Sequence, residues 1–329
     1  MSKLRWGVLG CSSFARRRGI PALLTTPSAK LVAVASRSKE KAEKFRSEFG
    51  LARCYGSYEE LLDDPDIDAI HITTVNGLHA EWMLKSIEKG KHVLCEKPFT
   101  TSVEQAEKVA AAAEGSKTKI MEGLVWRFHP QHKQALKAIE QGEIGDVRLV
   151  RAAFTFQLQD PAVAAIRLHP ELGGGAMLDI GCYPVSSSRF YFGSEPSLVN
   201  VRGYVHAEYG VDVHMAGSME FPGGVSLIDC GFDAPFRTDL EIVGSTGRIY
   251  FPKAWQPPQE ATLYLNDEPI VLPATNQYVL MFEHFSTAIL QGSSLDWEVT
   301  DAVLQMKAIE AIIHSIHSRQ PETVQKRQS

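Results

Sequence analysis

Over the first third of the chain, short apolar runs alternate with amphipathic stretches. Strands are predicted at Leu4–Leu9, 31–35, 69–73 and His92–Cys95, with helices at Lys39–Phe49, Tyr58–Leu62 and 79–89 between them. Gly50 and Gly90 stand where two of those helices should stop, and Ser102 with Gln105 forms a capping box before a helix at Val103–Ala113. Strand and helix in regular alternation predict βαβ units around a parallel sheet.

Past residue 122 the pattern changes. A helix at 132–141 leads into long strand-like runs at 147–156, 198–208, 213–221, 225–233, 240–243 and Ala261–Leu265, with one helix at 176–192 interrupting them. Consecutive strands joined by turn residues predict a large, mostly antiparallel sheet. Helical periodicity returns at 278–290 and 300–318. The expected fold class is therefore α/β: a doubly wound parallel sheet over residues 1–122, then an α+β domain over 123–329 with an open antiparallel sheet. The C-terminal helices are free to pack back on the first domain.

Composition narrows the classes of function. The 329 residues carry a net charge of −5, which offers no basic field to nucleic acid or anionic membrane. No apolar run reaches the roughly 20 residues that span a bilayer, and the first strand begins too early for a signal peptide. Five scattered cysteines, 11, 54, 95, 182 and 230, form neither a CxxC pair nor an even framework, which points to a reducing cytoplasm.

Candidate chemistry begins at the first turn. In Gly7-Val-Leu-Gly10-Cys-Ser12-Ser13-Phe14-Ala15, the three small positions of a GxGxxG fingerprint fall on Gly10, Ser12 and Ala15. Such a strand–turn–helix brings backbone amides to a dinucleotide pyrophosphate. Where the second strand ends, an NAD site offers an acid to the ribose. This chain has Ser36-Arg37-Ser38, which suits the extra 2′-phosphate of NADP, with NAD the alternative.

Four further segments carry a resemblance: Cys95-Glu96-Lys97-Pro98; Met121-Glu122-Gly-Leu-Val-Trp126-Arg127-Phe128-His129-Pro130-Gln131; Gly173-Gly174-Gly175-Ala-Met-Leu-Asp179-Ile-Gly181-Cys-Tyr183-Pro184; and Gly244-Ser-Thr-Gly247. In this order, behind a nucleotide-binding start, they resemble the Gfo/Idh/MocA oxidoreductases over nearly the whole chain. Lys97 follows a parallel strand, at the end where open α/β sheets bind ligands. There it is expected to hold a substrate oxygen and to lower the pKa of a neighbouring acid/base group. Asp179 and Tyr183, four apart on a helix, are expected to share a face. Tyr183, which titrates near 10 in water, needs a nearby cation to act near neutrality.

The resemblance implies a cis bond before Pro98 and Glu96 set to orient the cofactor ribose or Lys97. It also implies a cofactor loop, Thr74-Val75-Asn76-Gly-Leu-His79, in which Val75 replaces the usual proline. Trp126, Arg127, Arg167 and Tyr278 are candidates to line a sugar pocket. The implied activity is hydride transfer between a nicotinamide and a sugar-like CH–OH or C=O, Tyr183 exchanging the hydroxyl proton, Lys97 tuning it and Asp179 bonding the substrate. The partners implied are a sugar-like small molecule and further copies of the chain, as homodimer or homotetramer.

Oxidation of an aldose at C1 is the first reading of the substrate. The 3-ketoreduction of a nucleotide-linked deoxysugar and dihydrodiol oxidation are alternatives. An NAD-using glycosidase and a non-catalytic regulator are remoter ones; the former favours histidine at position 183 and the latter loses Lys97 or Tyr183. His129 with His132, and His314 with His317, imitate metal-ligand spacing, but neither pair has a third ligand, so no metal is expected.

Overall fold

In the computed structural model, which describes residues 2–258 and 260–324, the chain divides into two compact units. Among the described residues, one comprises 2–125 and 276–303; the other comprises 126–258, 260–275 and 304–324.

The first unit is built on six parallel strands: β1 (Leu4–Leu9), β2 (Ala29–Ala35), β3 (Arg53–Tyr55), β4 (Ala69–Ile72), β5 (His92–Cys95) and β6 (Ile120–Glu122). Their spatial order is β3-β2-β1-β4-β5-β6. The chain winds outward from β1 to β3, then returns to lay β4 on the other side of β1. The carboxyl ends of β1 and β4 therefore flank the point where the winding reverses, which is where open α/β sheets bind ligands. Strands β3 and β6 are too short to have shown in the sequence pattern.

Helix Gln277–Gln291 packs on this sheet although it follows the whole second sheet in sequence. Trp6, fully buried on β1, donates from its indole to Ser286 Oγ at 3.0 Å and sets its ring 5.4 Å from Phe282 and 5.3 Å from Phe285. Buried aromatic side chains of this size contribute about 3–5 kcal/mol each. Glu283, on the same helix, accepts from the Ser28 amide and hydroxyl ahead of β2.

The second unit carries ten further strands: β7 (Val147–Gln157), β8 (Leu198–Val205), β9 (Asp212–Phe221), β10 (Gly224–Gly231), β11 (Asp233–Arg237), β12 (Leu240–Gly244), β13 (Arg248–Phe251), β14 (Ala261–Leu265), β15 (Glu268–Leu272) and β16 (Glu322–Thr323). Nine lie in the order β15-β14-β13-β12-β7-β10-β9-β8-β16, and β11 pairs with β7. Pairing is antiparallel except between β7 and β10, so the fold is the α/β class expected, with one parallel join in the antiparallel sheet. Helix Cys182–Phe192 covers one face, and Ser188 and Ser226 pair hydroxyls at 2.6 Å beneath it. Among the described residues no helix is long and apolar enough to cross a membrane.

Candidate active site and cofactor loops

The turn after β1 has the shape a dinucleotide needs. Gly10 has φ +111°, and a Cβ there would stand 3.1 Å from the Thr73 carbonyl, so only glycine fits. Thr73 binds the two loops at the reversal point together, its amide donating to Leu9 O at 2.9 Å and its hydroxyl to Gly10 O at 2.7 Å.

Ser12 does more than stand in for a small residue. Its hydroxyl accepts from the Ala15 amide at 3.0 Å and caps the helical segment that starts at Ser13. One first-turn amide is thereby taken, while Ser13 and Phe14 open the helix end that suits an anion. Ala15, fully buried, provides the close helix–strand contact that a larger side chain would prevent.

At the end of β2, buried Ser36 accepts from the Ser38 amide at 3.2 Å, and Ser38 in turn caps the helix Lys39–Phe49. Arg37 is exposed between them and faces Tyr58, whose phenol burial pushes up against the pull of that guanidinium. No carboxylate takes the place of Arg37 at this strand end. In the loop after β4, Thr74 Oγ1 is buried without a protein partner, a polar atom set for a bound group, and Asn76 is half-exposed. These residues fit a phosphorylated dinucleotide.

His79, expected at the cofactor, lies in the interior between the loops after β4 and β5. It is fully buried, with Nδ1 2.8 Å from Pro98 O and Nε2 3.3 Å from Thr74 O. Burial holds its pKa below the usual imidazole value, so the ring is neutral and donates from one nitrogen only.

The Lys97–Pro98 bond is cis, and Lys97 is half-buried at the carboxyl end of β5. Glu96 is buried and its Oε1 lies 3.0 Å from Nε2 of His71, a residue the sequence pattern had left as one more strand position. His71 is the single ionisable side chain in the run Ala69-Ile-His-Ile, which was the available signal. Glu122 Oε1 accepts from the Phe99 amide at 2.9 Å and fixes the far side of the same loop. Tyr278 is placed in this first unit, its ring 5.7 Å from that of Phe14, and burial together with the Glu96 charge pushes its phenol up.

In the second unit the glycine run is explained residue by residue. A Cβ on Gly174 would stand 2.5 Å from Arg167 O, and Gly175 takes φ +113°. The segment expected as one α-helix is in fact a π-helical turn, Met177–Gly181, continued by Cys182–Phe192. The α-helical spacing that set Asp179 and Tyr183 on one face therefore does not apply across that turn. Asp179 instead accepts from Arg167 Nε at 2.5 Å, and the Arg167 guanidinium lies 5.1 Å over the Phe156 ring. Tyr183 is 7% exposed, edge-on to Phe154 at 5.2 Å and 5.8 Å from Trp255.

Trp126 and Arg127, expected to line a pocket, lie in the interior of their unit. Trp126 is fully buried with its ring 4.7 Å from His132 and 5.6 Å from Trp255. Arg127 donates to Ser186 Oγ at 2.9 Å, which ties its segment to the helix carrying Tyr183. His132 spends both nitrogens on Tyr191 and Ala254, while His129 Nδ1 caps the helix Pro130–Glu140. Among the described residues no group of three or more His, Cys, Asp or Glu is placed to hold a metal.

Residues 4–124 match the description "Oxidoreductase family, NAD-binding Rossmann fold" and residues 132–250 match the "GFO/IDH/MocA C-terminal domain". The chain belongs to the Gfo/Idh/MocA family. It is an NAD(P)-dependent oxidoreductase. A dTDP-3,4-didehydro-2,6-dideoxy-alpha-D-glucose 3-reductase of Actinomadura kijaniata is 32% identical over 94% of each chain. A D-xylose 1-dehydrogenase (NADP(+)) of Haloferax volcanii is 33% identical over 95% of this Gfo/Idh/MocA chain and 97% of its own. A crystal structure of a 3-ketoreductase from Actinomadura kijaniata, in complex with NADP and TDP-benzene, superposes with a TM-score of 0.90 at 31% identity, over 96% of this chain and 98% of that one.

Proposed function

We propose that this Gfo/Idh/MocA enzyme uses NADP to interconvert a sugar-like carbinol and its carbonyl. Arg37 at the end of β2 carries the cofactor choice: a guanidinium, with no carboxylate beside it, pairs with a 2′-phosphate and gains little from a bare ribose hydroxyl. The NADP named for both the xylose dehydrogenase and the crystallised ketoreductase supports this. Residues 1–125 hold the cofactor through Gly10, Ser13, Phe14, Ser36, Arg37, Thr74 and Asn76, with Glu96 at the ribose; the second unit holds substrate.

When bound, the nicotinamide accepts or returns a hydride. The protein's residues handle the proton and the oxygen. In oxidation, Tyr183 takes the hydroxyl proton as the carbon gives up its hydride; in reduction the phenol returns it. Lys97 supplies the positive charge that holds the reacting oxygen, and Tyr183 needs a nearby cation to reach its phenolate form near neutrality. Asp179, oriented by Arg167, accepts from a neighbouring sugar hydroxyl. Burial of Tyr183 keeps bulk water from exchanging that proton.

Oxidation of an aldose at C1 is the first reading of the substrate. Reduction of a 3-keto group on a nucleotide-linked sugar is the second; the ketoreductase relative supports it at 32% identity, as the xylose dehydrogenase supports the first at 33%. The test is nicotinamide absorbance, with NADP+ and NAD+ over a panel of aldoses, then NADPH over keto-sugars. Turnover of one aldose, faster with NADP+, supports the first; turnover of keto-sugars alone supports the second. Silence in both directions with every sugar would sink the reading. Five free thiols support a reducing cytoplasm as the setting, and the dimer or tetramer is checked by light scattering.

A further inference from the structure

The Met177–Gly181 turn, which leads into the helix of Tyr183, starts against a carboxylate from another element. Asp212, at the first position of β9, is 7% exposed and accepts from the Met177 amide at 2.6 Å through Oδ2. Oδ1 occupies the space beside Gly175, where a Cβ would come within 2.5 Å. The next link is the Asp179 amide, which donates to Gly175 O at 3.1 Å. Two hydrogen bonds joined by the backbone of residues 175–177 thus run from the sheet to Asp179, and the helix of Tyr183 continues from it.

We propose that Asp212 is a positioning residue for the reaction: its carboxylate, by holding the amide of Met177 and packing against Gly175, fixes the rotational setting at which Asp179 and Tyr183 are presented. This rests on the reading that those two residues act on the substrate. A π turn is an uncommon conformation that the surroundings must impose, and a buried anion at a helix start is an effective way to impose it.

The device is sensitive to acid. Burial pushes the Asp212 carboxyl up to about 6, against the pull of the Met177 amide and of His317. The groups facing it are His317 from the helix Val299–Ser318 and the Cys230 thiol from β10, whose own pKa the Asp212 charge helps to raise. Asp179 also acts on that thiol from the π turn, and His214, two residues along β9, is engaged by Asp233. Above pH 6 the carboxylate is charged and holds the turn; below it, the protonated acid is a weaker acceptor.

The experiment compares wild type, Asp212→Asn and Tyr183→Phe by pH–rate profile and by amide hydrogen exchange over residues 176–183, corrected for the intrinsic rate. In wild type kcat falls below pH 6 and exchange rises with it. Asp212→Asn loses about ten- to hundredfold in kcat, as expected of a slight misplacement, with KM for NADPH unchanged. It also lacks the limb near 6 and exchanges about tenfold faster at pH 8, the loss of one charge-assisted hydrogen bond. Tyr183→Phe keeps wild-type exchange while losing turnover; full turnover in it would refute the catalytic reading while leaving the exchange result to stand. An Asp212→Asn enzyme with wild-type kcat and an unshifted acid limb overturns the proposal. Should that variant not fold, flat exchange in wild type between pH 5 and 8 overturns it equally.

Discussion

Arg167 donates through Nε to Asp179 at 2.5 Å while its guanidinium rests over Phe156. The sequence had placed one residue on substrate and the other in catalysis; in the fold they are one unit. Asp179 is the more buried partner, so truncating the arginine strips the carboxylate of its orientation. Arg167→Ala is expected to raise KM for the sugar about tenfold, the loss of one charge-assisted contact. Stability should fall by no more than about 1 kcal/mol, because the arginine is a third exposed and screened by solvent. Steady-state kinetics beside urea melts checks both numbers.

Removing the acid/base group and its cation should act on turnover. Tyr183→Phe and Lys97→Ala are each expected to lower kcat by about 10²–10⁴-fold, the range of a single general acid/base contribution. NADPH affinity in Tyr183→Phe should stay within twofold, read by fluorescence titration. Either variant at wild-type turnover removes that residue from the mechanism.

Cofactor choice should rest on Arg37. Arg37→Ala is expected to raise KM for NADP about ten- to hundredfold, the value of one or two bonds to a charged phosphate. KM for NAD should hardly move. Equal effects on both cofactors would mean that Arg37 serves the loop rather than the 2′-phosphate.

Ser12 separates folding from binding. Its hydroxyl caps the first helical segment, so Ser12→Ala is expected to cost about 0.5–2 kcal/mol in denaturant melts. Ser12→Gly should cost only a few tenths.

Acid stability follows from three interior imidazoles. Burial lowers His79, takes His129 to about 4 and His132 to about 3. Each binds a proton near 6.5 when unfolded but not when folded. Their contribution is therefore complete above 6.5 and is lost as pH falls from there toward 4. For His132 the loss reaches up to about 2 kcal/mol by pH 5. Urea midpoints measured between pH 7.5 and 5 should drop, and His132→Phe should flatten part of the slope.

Much of this protein was legible without coordinates. Apolar and amphipathic runs gave Leu4–Leu9, Lys39–Phe49, His92–Cys95 and Val103–Ala113 at their observed bounds, because the two strands are short apolar runs buried on both faces and the two helices bury one face and carry their own caps. Gly10, Arg37, Lys97 and Tyr183 could be singled out as candidates because short local motifs mark their positions. Strands of three residues, such as Arg53–Tyr55, were not visible, since they complete less than two pleat repeats.

What tertiary structure alone decided are the pairings over long sequence distances. Trp6 finds Ser286, His71 finds Glu96, and Asp212 reaches back to Met177. The π turn at Met177–Gly181 belongs to the same class, because no local preference of those five residues asks for it. Local sequence sets backbone propensity and the burial pattern, whereas the partner of a buried polar group is set by whichever distant element the packing brings within about 3 Å, and that geometry exists only once the unit that holds both residues has folded.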